Sequence, residues 1–173
     1  SASPRRGPAG HGGGVEVPTT TVDVQEPLSR LLADMRSNII RTQKAMKVAE
    51  ALARHPRVEK VFYPGLLRSA DGAAHRTFKK QCTGPGSVVT FLLAKAGRKE
   101  AFRFLDAVRI GHLAVSLGGT ESLIEHPRSM THSDMSPEDL DRAKISENMI
   151  RLSVGLESSD DLIDDLRAAL DQM

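Results

Sequence analysis

VSLGGTESLIEHPRSMTHS at Val115–Ser133 and ISENMIRLSVGLESSDDLIDDLRAAL at Ile145–Leu170 decide the fold. Within the second stretch, Met149–Val154 alternates. Ile150, Leu152 and Val154 share one side of an extended strand, and Arg151 and Ser153 share the other. Gly155 ends the strand. A helix is expected over Ser159–Gln172: Ser158 or Ser159 can cap it, Asp160 and Asp161 sit in its positive first turn, and Leu162, Ile163, Leu166 and Leu170 face inward. Ahead of these, Leu113–Leu117 reads as a short strand stopped by Gly118-Gly119, and Pro137–Ala143 as a short helix capped by Ser136.

Working outward, Glu100–Val108 is helical, with Ala101, Phe102, Leu105 and Val108 on one face. Ser87–Leu93 is an apolar, β-branched strand entered through Gly84-Pro85-Gly86. Leu66–Gly84 is polar and weakly helical, and Val58–Tyr63 is a strand closed by Pro64-Gly65. Further back, Leu28, Leu31, Leu32, Met35, Ile39, Met46, Ala49 and Leu52 recur at spacings of mostly three and four, one apolar stripe of a helix over Pro27–His55. Pro27 suits a first turn, and Pro56 disfavours helical geometry at His55. At 1.5 Å per residue the helix is about 42 Å long, enough to lie across a sheet or pack on a neighbouring domain or subunit. Residues 1–27, rich in Gly, Pro, Ser and Thr, are expected to form a flexible tail with a short extended piece at Val15–Val17. The order α, β, β, α, β, α, β, α over residues 28–173 suits an α/β fold, a two-layer α+β sandwich on about four strands.

Composition narrows the function classes. Lys and Arg number 24 against 22 Asp and Glu, a balance that gives no electrostatic case for nucleic acid. Aromatic residues are 3%, too few for a base-stacking surface. One cysteine, Cys82, excludes an internal disulfide and fits a reducing, cytoplasmic compartment. No apolar run reaches the roughly 20 residues needed to span a bilayer, and the first residues lack the apolar core of a secretory signal.

Four places are weighed for chemistry. Arg151 presents a planar fork of donors suited to a carboxylate; on pattern alone a solvated strand residue or half of a structural ion pair is the favoured reading. It lies away from the apolar side of its strand, so its removal is expected to leave the fold intact. The Ser116–Glu121 turn, SLGGTE, can bring backbone N–H groups close to an anion, or simply turn the chain. His126 and His132, near Glu125, follow no zinc spacing, and no metal site is expected. Cys82, beside Lys80, is read as incidental.

These blocks, together with KAMKVAEALARHPRVEKVFYPGL at Lys44–Leu66, closely resemble the C-terminal domain of the Cys/Met-metabolism family of pyridoxal-phosphate (PLP) enzymes. That family includes methionine γ-lyase, cystathionine γ-lyase and γ-synthase, and O-acetylhomoserine sulfhydrylase. The resemblance covers about Leu28–Asp171 and implies the small C-terminal domain of a fold-type-I PLP-dependent transferase. It implies that Arg151 clamps a substrate α-carboxylate, that Ser116 contacts the same group through its backbone, and that Thr131 lines the pocket. Val115 and Leu117 flank Ser116 in the substrate site, and a small apolar residue at 115 leans towards small thioethers or acylated homoserines. The implied cofactor is pyridoxal 5'-phosphate, the implied substrate a sulfur amino acid or acylated homoserine, and the implied assembly a homo-oligomer.

The resemblance also shows what to look for and not find. The family's cofactor lysine sits in a segment like S-A-[ST]-K followed by G-x-H. Here Ser1-Ala2-Ser3 is followed by Pro4, and Lys44 and Lys47 belong to the long helix. No catalytic or cofactor-binding residue is therefore expected among these 173 residues, since that lysine forms the covalent link to the cofactor and shuttles protons. Two functions stay open: the carboxylate-binding domain of a C–S lyase or γ-replacement enzyme, or a non-catalytic relative acting as an oligomerisation or regulatory partner or surviving as a degenerate gene product.

Overall fold

The computed structural model describes residues 25–173. Helix α1 spans Gln25–Ala53, so residues 25–27 are helical; the rest of the expected tail, with Val15–Val17 and Ser1-Ala2-Ser3, lies outside the described residues. Strand β1 is Val58–Phe62; two short 3-10 turns, Pro64–Leu66 and Ser69–Asp71, lead into α2 at Ala73–Gln81. Then come β2 (Val88–Leu93), α3 (Arg98–Ala107), β3 (His112–Leu113), β4 (Leu123–Glu125), α4 (Pro137–Arg142), β5 (Met149–Ser153) and α5 (Ser159–Asp171).

The strands form one sheet in the order β1-β2-β5-β4-β3. All neighbours are antiparallel except β3 and β4, which run parallel. The fold is the expected α/β two-layer sandwich, with two differences. Leu123–Glu125 is a strand that the sequence left as loop, because its three residues are buried on both faces and show no alternation. The strand expected over Leu113–Leu117 is only His112–Leu113, and residues 115–117 continue as exposed irregular chain.

One face of the sheet carries the core. Val89, Phe91, Leu93, Ile124, Ile150 and Leu152 lie on it, packed beneath Ala45, Val48, Ala49 and Leu52 of α1, Ala101 and Phe104 of α3, and Leu162, Leu166 and Leu170 of α5. Phe91 and Phe104 meet edge to face at 5.9 Å between centroids, a favourable quadrupole arrangement. The helices start where capping directs. Ser136 accepts from Asp139 N and Ser158 from Asp161 N, with acidic side chains in both first turns. Only the second half of α1 is buried; Leu28, Leu32, Met35 and Ile39 are all more than half exposed, so the apolar stripe runs on past the sheet.

Candidate carboxylate site

The opposite face of the sheet holds the candidate site. Registers place Thr90 of β2, Arg151 of β5 and Glu125 of β4 side by side across it. Directly paired residues share a face, so the three form one lateral polar row. Arg151 is half-buried and Glu125 is 1% exposed. Arg151 Nε lies 3.0 Å from Glu125 Oε1. The described residues offer no hydrogen-bond partner to Nη1 or Nη2, so the end of the fork stays available. Thr131 Oγ1 lies 3.1 Å from the same Glu125 oxygen, and 2.9 Å from His132 Nδ1. Glu125 Oε2 is buried without a partner.

The SLGG turn reaches this face from the other side. Because β3 and β4 are parallel, the chain between them must double back, and it does so across the end of β5. Gly118, with φ +82, occupies a conformation that glycine adopts without steric cost. Its N–H donates to Ser153 Oγ at 3.0 Å, and Ser153 lies two residues beyond Arg151 on the same side of β5. Arg41 of α1, 7% exposed, donates from Nη1 to Gly119 O at 2.8 Å, and Leu156 N donates to Thr120 O at 2.7 Å. A Cβ on Gly155 would collide with the backbone of Glu121 and Ser122, so the turn packs on β5 only because residue 155 is glycine. Beneath the turn, Ser122 donates to Glu157 from its backbone N–H and its hydroxyl, each at 2.7 Å, while the hydroxyl accepts from Gly155 N at 2.9 Å. Burial raises the affinity of Glu157 for a proton, but the two Ser122 bonds and the charge of Lys44 outweigh it, and the carboxyl is held below its ordinary value.

The structure thus joins Arg151 and Thr131 through Glu125, and ties the turn that bears Ser116 to the strand that bears Arg151. Ser116 itself, Val115 and Leu117 are exposed and stand clear of these bonds. Three contributing residues were not foreseen. Glu125 and Ser153 show their part only in the strand pairing, and Arg41 only in the fold of α1 against the turn. The one visible signal was that Ser153 shares a strand side with Arg151.

The remaining candidates sit elsewhere. His126 is buried, its Nδ1 2.7 Å from Ser129 Oγ and its Nε2 2.9 Å from Glu147 O, so the ring clamps the loop after β4 to the loop before β5. Among the described residues no three His, Cys, Asp or Glu side chains gather as metal ligands. Cys82 is exposed at the end of α2. No helix of the described residues is long and apolar enough to cross a membrane.

Known proteins resemble this chain in sequence and in fold. Residues 34–171 match the family described as Cys/Met metabolism PLP-dependent enzyme. L-methionine gamma-lyase of Porphyromonas gingivalis is 43% identical over 131 residues, which are 76% of this chain and 32% of that protein. Cystathionine gamma-lyase of Bos taurus is 45% identical over 128 residues, 74% of this chain and 31% of the relative. In the solved cystathionine gamma synthase of Xanthomonas oryzae pv. oryzae, in complex with aminoacrylate and cysteine, the matching region superposes with a TM-score of 0.72 at 40% identity, covering 79% of this chain and 34% of that one. The chain therefore spans about a third of the length of the curated relatives it matches. On the family match, the sheet and the shared sequence together, the chain belongs to the Cys/Met-metabolism family of PLP-dependent enzymes.

Proposed function

We propose that residues 28–173 supply the substrate-carboxylate subsite of a PLP-dependent enzyme that acts on a sulfur amino acid or an acylated homoserine by γ-elimination or γ-replacement. The observation that carries this is the posture of Arg151: Nε paired with Glu125 at 3.0 Å, no described residue hydrogen-bonded to Nη1 or Nη2, and the side chain 21% exposed. A guanidinium held by one edge presents the other two nitrogens as a ready two-point donor for a carboxylate. Gly118 and Gly119, fixed by Ser153 and Arg41, bring the Ser116 backbone to the same side. Binding and orientation are what these residues contribute; holding the α-carboxylate aligns Cα with the reacting groups.

The described residues fit a carboxylate and not the cofactor. Among the described residues no lysine is hydrogen-bonded or ion-paired to Arg151, Glu125 or Thr131, and Lys44 gives its Nζ to Leu156 O and Glu157 O at 2.5 and 2.6 Å. PLP supplies an electron sink when bound, and we assign its lysine and phosphate contacts to polypeptide beyond these residues. The exposed stripe of α1 is suited to burial against that polypeptide or in a homo-oligomer. The single exposed cysteine fits a cytoplasmic location.

The test is a chimera in which residues 34–171 replace the matching segment of the Porphyromonas gingivalis L-methionine gamma-lyase. Arg151→Ala should lower its kcat/KM about 30- to 1,000-fold, the worth of a bidentate charged contact at 1.4 kcal/mol per decade. Arg151→Lys should recover only part, because an ammonium lacks the fork. The 173 residues alone, with added PLP, should release no α-keto acid from methionine or O-acetylhomoserine. Equal kcat/KM with arginine and alanine per folded molecule contradicts the assignment.

A further inference from the structure

We infer that Glu125 is the positioning residue of the carboxylate site, and that Thr131 acts through Glu125 rather than on the substrate; the inference rests on Arg151 being the carboxylate ligand. Strand pairing fixes Glu125 directly opposite Arg151, so its carboxylate meets the guanidinium without any loop having to close. Its Oε1 lies 3.0 Å from Nε, an ion-pair contact, while no described residue hydrogen-bonds Nη1 or Nη2. Contact with the terminal nitrogens would have filled the fork and shut the substrate out. Thr131 Oγ1 lies 3.1 Å from that same Oε1, 2.9 Å from His132 Nδ1 and 3.4 Å from Pro127 O, so the hydroxyl is enclosed by protein groups that include the carboxylate rather than facing open space.

Burial argues that this pair is more than a device for stability. Glu125 is 1% exposed and its Oε2 has no hydrogen-bond partner. A buried ion pair with an unsatisfied atom is a poor way to hold two strands together, since apolar residues of similar volume do it as well or better. What the carboxylate uniquely does is fix one arginine rotamer and part-neutralise its charge before the substrate arrives. Orientation is gained, and some attraction for the incoming carboxylate is given up.

Glutamate-to-glutamine and glutamate-to-alanine changes therefore have opposite effects. Glu125→Gln keeps an oxygen beside Nε while removing the competing charge. Glu125→Ala removes both and lets the guanidinium swing.

The experiment follows the Nε–Hε resonance of Arg151 in the full chain labelled with ¹⁵N-arginine, first free and then titrated with L-methionine. In the free protein the signal should be resolved and protected from exchange in the natural sequence and in Glu125→Gln, and broadened or lost in Glu125→Ala. An unprotected signal in the natural sequence, or equal protection in Glu125→Ala, overturns the inference whatever the ligand does. With L-methionine, Glu125→Gln should bind equally or about threefold more tightly, and Glu125→Ala about five- to tenfold more weakly. Thr131→Val should weaken binding in the natural background and add nothing to Glu125→Ala; full additivity would place Thr131 on the substrate and overturn that half of the inference. If Glu125→Ala does not fold, Glu125→Gln and Thr131→Val decide the matter: loss of protection in Glu125→Gln contradicts the inference, and retention with the stated affinities supports it. Absence of any L-methionine effect on a natural-sequence Arg151 whose Nε–Hε is protected contradicts the carboxylate role itself and leaves the Glu125 contact standing.

Discussion

On one face of the sheet, Phe91, Ile150 and Leu152 are wholly buried under three helices; on the other, Arg151 and Thr90 stand in a row with a buried glutamate. Ile150, Arg151 and Leu152 are consecutive, so a single strand serves both faces. The helix-covered face is held by many interchangeable apolar contacts, and each side chain there is worth what its volume and area are worth. The polar face is held by a few specific pairings: Arg151 with Glu125, Glu125 with Thr131, Ser153 with Gly118. Loss of one partner there costs whatever its orphaned mate then costs.

The largest effect should come from the apolar face. Phe91→Ala removes a 0% exposed ring and its edge-to-face contact with Phe104. It should lower unfolding free energy by about 4 kcal/mol, measured by urea denaturation at constant m-value. A loss below 1 kcal/mol would break the contrast by showing that the helix layer tolerates a large void.

Next is the pair on the polar face. Its removal was expected to spare the fold, since Arg151 points away from the apolar side. The structure corrects this: Arg151→Ala strands the buried Glu125 carboxylate. The cost should be about 3 kcal/mol, the low end for breaking a buried pair because Arg151 is partly exposed. The double change Arg151→Met with Glu125→Leu should restore most of it. If the double variant is as unstable as the single, the row is structural in its own right and the contrast between faces fails.

Smaller is the acid response of the SLGG turn. Glu157 has a folded-state pKa below its ordinary value of about 4.3. Its contribution is therefore fully present above that value and is lost as pH falls through the lower, folded one. Glu147, lowered chiefly by its bond from Arg98, acts in the same direction. Ser122→Ala should cost about 1 kcal/mol at pH 7 and flatten the decline of the urea midpoint between pH 5 and 3. An unchanged pH profile would show that the turn is not held through Glu157.

How much of this was legible in the sequence follows the same division. Period-two and period-3.6 patterns marked β2, β5, α3 and α5 within a residue or two, because each has one dry side. β4 escaped because both its faces are buried, so alternation vanishes. Leu113–Leu117 looked like strand from its apolar content, yet only His112 and Leu113 find a partner, and Val115 and Leu117 stay more than half exposed. Arg151, Ser116 and Thr131 were marked by resemblance to the family. Glu125, Ser153 and Arg41 were not, since their part depends on partners 26, 35 and 78 residues away, and no local spacing encodes such a pairing.

The central claim is that Arg151 receives an α-carboxylate. The most direct measurement compares L-methionine with L-methioninamide, which keeps the amine and thioether and lacks the negative charge, by following the Nη resonances of Arg151 in the ¹⁵N-arginine-labelled chain. The carboxylate role predicts saturable shifts with methionine, none with the amide, and loss of methionine binding in Arg151→Ala per folded molecule. Identical shifts with both ligands, or methionine binding that survives Arg151→Ala undiminished, would contradict it.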